Sequence, residues 1–364
     1  MEARVVPADL DSVPEVDALL ERLGLGTFDR DTLEAAPGRN DVWKGRTRSG
    51  RHIFAKRLTG SGAGPAERLN RMLAFEEFGD RIPQDVLARP ELLGSDAEAC
   101  VVAFTCVEEA ESGARMMVDE AFDDELAYAT GRAVARVHVT DAHGVELETV
   151  PPVLPSPKLL RGISDEMFQE FSFGQMTVWG LLQGDKALQE GLEKLLESEK
   201  GAVKVPSHCD LRLDQILVSN GTLHITDWEE FRLADAARDI GSFAGEWLYR
   251  AVLDIVTDRG DSSFVDFDLT HEVIVERGAA KLGRLRPRVE SFWRGYREVR
   301  PSADSSLPVR ATAFAGWHAL DRLIASSQRS TRVSGIERAA AGVGRAALLA
   351  PERFAATLGL GGVA

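Results

Sequence analysis

Basic residues are in short supply: 43 Lys and Arg stand against 58 Asp and Glu in 364 residues, for a formal net charge of −15. That balance argues against a binder of duplex nucleic acid, which draws most of its affinity from cations on phosphates. It favours solubility and would steer cationic partners inward. Cysteine is scarcer still. Cys100, Cys106 and Cys209 are the whole complement, an odd number without metal-binding or redox spacing, which fits a reducing cytoplasm. No run approaches the ~18 apolar residues of a membrane span. The opening MEARVVPADLDSVPEVD carries acids where a secretory leader needs a basic region and then an apolar one. The expected protein is soluble and cytoplasmic, with no membrane or nucleic-acid partner. No internal repeat is visible. Gly342-Val343-Gly344-Arg345-Ala346-Ala347 mimics a dinucleotide fingerprint but follows no strand, so it does not carry that function.

The length suggests two lobes rather than one core. Val16, Leu19, Leu20 and Leu23 fall at i, i+3, i+4 and i+7, the stripe of an amphipathic helix stopped by Gly24. Two strand-like pieces, 42–45 and 52–56, flank a turn-rich stretch and predict a hairpin. A Gly/Ser/Pro-rich loop at 59–65 leads into a helix marked by Leu69, Met72 and Leu73. Strand-like pieces follow at 86–88, 91–93 and 99–107. Beyond Val107 the texture becomes helical: 124–138, 164–172, 186–199, most of 235–300, 308–328 and 336–350, with a fraying Ala/Gly-rich tail. The expectation is an α+β protein with a small β-rich lobe over 1–107 and a larger helical lobe over 108–364.

Chemistry concentrates in PSHCDLRLDQILVSNGTLHITDWEE, residues 206–230. Two apolar runs flank Ser219-Asn220-Gly221, the signature of a hairpin, and acids sit outside both ends. A carboxylate at Asp210, an amide at Gln215 and a second carboxylate at Asp227 are the groups phosphoryl transfer requires. One acid takes the proton of an attacking hydroxyl; an amide and another acid hold Mg²⁺ against ATP phosphates. His224 and Cys209 read as structural residues, and Asp214 as a solvated one.

These residues resemble the aminoglycoside phosphotransferase-like kinases, relatives of protein kinases in fold. His208-Cys209-Asp210-Leu211-Arg212-Leu213-Asp214-Gln215 fits their H-x-D-x-x-x-x-N loop except at the last place. The resemblance implies a bilobal protein-kinase-like fold, ATP and Mg²⁺ as cofactors, Asp210 as catalytic base and His208 as loop organiser. It places Arg212 near the transferred phosphate and Asp227 in the metal-binding segment. It also implies that Asp239, ending Asp235-Ala236-Ala237-Arg238-Asp239, braces the catalytic loop from a helix start. Val137-His138 resembles the family's helix-ending apolar-His pair. Lys56 is the expected strand lysine on the α/β-phosphates, with Arg39, Asn40 and Asp41 lining a phosphate-facing loop that lacks G-x-G-x-x-G. Its glutamate partner is expected from the next helix, at Glu67 or Glu76. Lys56, Asp210 and Asp227 are expected to meet around one magnesium-bound triphosphate. Gln215 in place of asparagine keeps a carbonyl for Mg²⁺ but displaces it by ~1.5 Å, so an active kinase and a pseudokinase both stay open.

Three readings of the acceptor remain. Asp227-Trp228-Glu229-Glu230-Phe231-Arg232-Leu233 and the segment Gly241 to Arg250, with the loop around Asp210, resemble the kinase subunit of class V lanthipeptide synthetases. That implies a precursor peptide, with leader and Ser/Thr core, phosphorylated for later elimination to dehydroamino acids, and separate lyase and cyclase partners. The second reading is a small-molecule hydroxyl on an antibiotic or metabolite. The third is a pseudokinase that presents a peptide.

Overall fold

The computed structural model of the protein describes residues 7–36, 38–60, 62–152, 154–155, 158–256, 271–301, 304–328 and 330–361. The part of the expected 235–300 helical stretch at 257–270 lies outside the described residues, as do the last residues of the tail. In chain order the elements begin with α1 (Pro14–Arg22), β1 (Glu34–Ala36), β2 (Asp41–Arg46), β3 (His52–Arg57), α2 (Gly64–Gly79), β4 (Leu92–Asp96), β5 (Val101–Thr105) and β6 (Glu111–Ser112). Next come α3 (Gly113–Val118), α4 (Asp124–Val139), α5 (Asp165–Glu170), α6 (Phe173–Gly184), α7 (Lys186–Lys200), β7 (Lys204–Ser207), β8 (Ile216–Ser219), β9 (Thr222–Ile225) and β10 (Arg232–Asp235). The chain closes with α8 (Ala237–Leu253), α9 (His271–Val299), α10 (Leu307–Ser327), α11 (Gly335–Leu349) and α12 (Pro351–Leu358). The fold is mixed α+β, as the sequence implies.

By compactness the chain divides into two units, and neither is a single run of sequence. The first comprises 1–111, 142–148 and 217–231. Its antiparallel sheet runs β1-β2-β3-β5-β4. Alternation along β3 sorts the side chains: Ile53 and Ala55 join Trp43, Val101 and Ala103 against Val16, Leu19 and Leu20 of α1. Phe54 lies on the opposite face, packed with Val102, Phe104, Leu69 and Met72. Lys56, two residues on and opposite Val42 and Val102, shares that second face. The segment after β9 is held in this unit by aromatics. Phe75 of α2 stacks on Trp228 with ring centroids 3.6 Å apart, and Phe231 meets Phe75 edge-on.

The second unit comprises 112–141, 149–216 and 232–364. Strands β7 and β10 pair antiparallel, Ser207 opposite Arg232, and deliver the chain into residues 208–215. Helices α8 and α10 form its centre with Phe243, Phe292 and Phe122. The dinucleotide-like glycines lie inside α11, where Gly344 meets the backbone of Gly316 on α10. A Cβ on Gly344 or Gly316 would come within 2.7 Å of its neighbour, so Gly344 serves helix packing, while Gly342 faces open space.

Some local readings differ. Residues 86–87 form a turn closed by Val86 and Leu87 amides on the Pro83 carbonyl, rather than a strand; Ala88 makes only an isolated bridge to His224. Strand β1, Glu34-Ala35-Ala36, is fully exposed and has no β-branched residue, so no pattern announced it. Helix α6 was also unannounced, although Ser172 and Gln175 form the reciprocal capping box that marks its start.

Candidate functional site

In the first unit a cluster of charges surrounds Lys56. The side chain is only 6% exposed. Its ammonium donates to Asp227 and lies 2.7 Å from Glu229 Oε2. Burial alone would lower its pKa; the two carboxylates more than offset that and hold it above the ordinary lysine value. Glu229 is the hub. Arg39 donates to its Oε1, Asn40 Nδ2 to its Oε2 at 2.8 Å, and Arg68 lies 3.6 Å away. Burial pushes the Glu229 carboxyl up, but Lys56, Arg39 and Arg68 outweigh it and bring it down to about 2. Arg71 Nε donates to the Glu229 carbonyl at 2.7 Å, which fixes the backbone of the same residue.

The acid that partners Lys56 does not come from the following helix. Glu67 is exposed in the first turn of α2, and Glu76 pairs with Arg89 at 2.6 Å. The acid comes instead from Glu229, two residues after Asp227. The signal was present in the doubled acid of Asp-Trp-Glu-Glu, but only packing selects it: Trp228 stacks on α2 and so sets Glu229 among the cations. Asn40 lies within the cluster, its Oδ1 accepting from Arg68 at 2.9 Å and from the Thr59 amide at 3.3 Å. Asp41 is turned to its cross-strand neighbour Arg57 at 2.6 Å.

Asp227 takes left-handed backbone, φ +67°, which an L-residue adopts only at a cost. Its carboxylate is 29% exposed. A phosphotransfer Mg²⁺ commonly takes one or two protein carboxylates and completes its shell with water and phosphate oxygens. Asp227 fits that demand. Among the described residues no three His, Cys, Asp or Glu side chains form a self-sufficient metal cage.

The second unit holds the loop 208–215. Asp239, in the first turn of α8, accepts from two successive backbone amides, His208 at 2.8 Å and Cys209 at 2.7 Å. His138 Nε2 lies 3.0 Å from the same carboxylate, and His138 Nδ1 is 2.9 Å from the Tyr296 hydroxyl, which accepts from Arg300 at 2.8 Å. The carboxylate therefore accepts a hydrogen bond from Nε2–H, leaving Nδ1 to accept from the Tyr296 hydroxyl. Burial would raise the Asp239 carboxyl; His138 and the His208 amide hold it below the usual carboxylate range. Tyr296 had no signal in the sequence beyond helical spacing.

Within the loop, His208 Nδ1 accepts from the Asp210 amide at 3.3 Å. Cys209 between them has φ +66°, the conformation a glycine adopts freely. Arg212 donates to Asp210 at 2.9 Å and grips Asp214 through two nitrogens at 3.0 and 3.1 Å. Gln215 is buried. Its Oε1 accepts from the Arg212 amide and its Nε2 donates to Asp210 Oδ2, both at 3.2 Å. The backbone N–H fixes that orientation, so the added methylene lets Gln215 close its own turn and hold Asp210. The carbonyl expected on a metal is directed at the Arg212 amide instead. From α8, Glu246 Oε2 accepts from the Leu213 amide at 3.4 Å while its Oε1 lies 2.6 Å from His318. Neither Glu246 nor His318 was read as functional from the sequence.

Thus His208, Asp210, Arg212, Gln215 and Asp239 gather in one unit, and Lys56, Asn40 and Asp227 in the other. A sequence profile described as "Phosphotransferase enzyme family" (APH) matches residues 39–269, well over half of the chain and spanning every one of these positions. The chain belongs to the phosphotransferase enzyme family. Membership makes it an enzyme that phosphorylates hydroxyl groups, and the kinase-like character of the family implies ATP as donor. Among similar solved structures is amicoumacin kinase hAmiN in complex with AMP-PNP, Ca²⁺ and Ami: TM-score 0.51, 13% identity, 93% of this chain and 96% of that one. Choline kinase LicA from Streptococcus pneumoniae gives 0.50 at 12% identity over 92% and 97%. Macrolide 2'-phosphotransferase type I gives 0.50 at 15% over 91% and 100%. At such identities the likeness is one of fold, and it is the kinase-like fold expected of the phosphotransferases. No curated protein sequence matches the chain. No helix of the described residues is long and apolar enough to cross a membrane.

Proposed function

We propose that this phosphotransferase moves the γ-phosphoryl group of ATP to a small-molecule hydroxyl, with Asp210 as the base. The observation that supports it most is the braced loop: Asp239 accepts the amides of His208 and Cys209, while Arg212 and Gln215 both donate to Asp210. A general base works only when its carboxylate is held at the angle from which the hydroxyl approaches. The acceptor oxygen forms its bond to phosphorus as its proton passes to Asp210, and the bond to the ADP oxygen breaks with its electron pair. Lys56 stays charged to bind phosphate oxygens, with Glu229 keeping it in place. Asn40 organises that cluster; Asp41, paired with Arg57, supports the adjoining strands. Mg²⁺, when bound, would neutralise charge on the phosphates, and Asp227 is the residue to hold it. Gln215 acts on the base. With Asp210, Asp227, Lys56 and Arg212 all retained, the active reading is preferred over the pseudokinase.

A peptide acceptor is the second reading, favoured by the resemblance of 227–233 and 241–250 to class V lanthipeptide kinase subunits. One assay separates the three outcomes. Purified protein is incubated with Mg-ATP and either a panel of small hydroxyl compounds or a Ser/Thr-rich precursor peptide, and products are weighed. A gain of about 80 Da on a small molecule is the expected result, the same gain on the peptide alone would replace the small molecule by the peptide, and no phosphorylated product together with no thermal shift by Mg-ATP would leave a non-catalytic scaffold.

A further inference from the structure

A cavity of about 270 Å³ opens within the second unit, its wall including Met117, Arg212, Glu246, Tyr249, Arg250 and Arg322. Because Arg212 donates to Asp210, the cavity begins one side chain from the proposed base. Most charges on the wall are settled locally. Arg250 lies 2.8 Å from the fully buried Asp254, Arg212 holds Asp210 and Asp214, and Glu246 meets His318 and the Leu213 amide. Arg322 differs. Its carboxylate contact is its chain neighbour Asp321, half exposed and touched through one terminal nitrogen at 3.0 Å. Its Nε is buried and has no hydrogen-bond partner among the described residues. An arginine Nε–H and the adjacent Nη2 form a fork that matches a carboxylate or phosphate; here Nη2 also donates to Asp321 and the Nε–H is the open arm. The uncommitted group is therefore a donor, and Met117 and Tyr249 offer apolar surface beside it.

We propose that this cavity receives the acceptor and that Arg322 binds an oxyanion on it, a carboxylate or a phosphate. The acceptor class is then an amphipathic hydroxy compound bearing an anionic group. A polycation would instead face three guanidiniums, and the two carboxylates of the wall, Asp214 and Glu246, are already engaged by Arg212 and His318. The claim that the bound molecule is phosphorylated rests on the proposed function; the claim of anion recognition does not.

The test uses the full chain without nucleotide, titrated calorimetrically with 3-phenyllactate, with its neutral amide, and with 2-phenylethyl phosphate. At least one anion should bind about tenfold or more tightly than the amide, and which one does tells carboxylate from phosphate. R322M, which keeps an apolar stem, should erase the preference. R322K, which keeps charge without the fork, should retain part of it and serves where R322M does not fold. Equal binding of acid and amide, an undiminished preference in both variants, or no binding of either anion at roughly 10 mM would overturn the proposal. Failure of Mg-ATP to bind wild-type protein would instead count against the phosphotransfer reading.

Discussion

The Lys56 cluster and the loop 208–215 solve different problems with the same residue type. Around Lys56 the carboxylates of Asp227 and Glu229 meet cationic side chains, so charge is balanced by charge. In the loop the carboxylate of Asp239 meets backbone amides and a histidine. A charged side chain can swing to a ligand when one arrives, whereas an amide fixes the chain that carries it. In the function proposed, the first arrangement holds cations for phosphate and the second fixes the angle of the base. Buried ion pairs largely repay their own desolvation and add little net stability, but removing one member leaves the other buried and unpaired.

The sharpest break of the comparison is Asp210→Asn. Transfer should fall by about 10²–10⁴ while Mg-ATP binding, read by calorimetry, stays near wild type. Turnover near wild type would remove Asp210 from the role of base. Asp239→Asn comes next. Its amide nitrogen would oppose the donors it replaces an acceptor for, at a cost of roughly 3 kcal/mol in a denaturant melt, with kcat lost more than the affinity for ATP. An unchanged melt would show that the brace contributes no stability.

Glu229→Gln sharpens the contrast through pH. A carboxyl held at about 2, against 4.5 ordinarily, stabilises the fold above pH 4.5, and that contribution fades as pH falls through 4.5 toward 2. The variant should lose the corresponding slope of stability against pH while its ATP affinity weakens. An acid limb identical to wild type would contradict the assignment. The smallest effect is Cys209→Gly. Relief of φ +66° is partly cancelled by greater freedom of the unfolded chain, leaving a gain of up to about 1 kcal/mol in thermal unfolding with no change in kcat.

Much of the catalytic loop was legible because it is local. His208, Asp210, Arg212 and Gln215 fall within eight residues, and the hairpin after them, with its Asn220-Gly221 turn, follows from short apolar runs and turn chemistry, whereas β7 before them had no such pattern. Asp239 was legible too, as an acid at a helix start. The partner of Lys56 was not. Helical spacing offered Glu76 and the family resemblance offered Glu67, and neither points to an acid 173 positions along the chain from Lys56, Glu229. Gln215 shows the same limit: its type suggested a ligand, while its contacts put it to use in its own turn.

The sequence alone determined which segments become strands and helices in most places, and it set the acids and Lys56 in a phosphotransferase order, since alternation, capping and short-range spacing are properties of neighbours. Tertiary structure decided which charge each acid answers. Trp228 stacking on Phe75 carries Glu229 to Lys56, and the close approach of α10 to α8 carries His318 to Glu246. Electrostatic pairing depends on distance in space and on burial, and neither is written in the order of residues until the chain has packed.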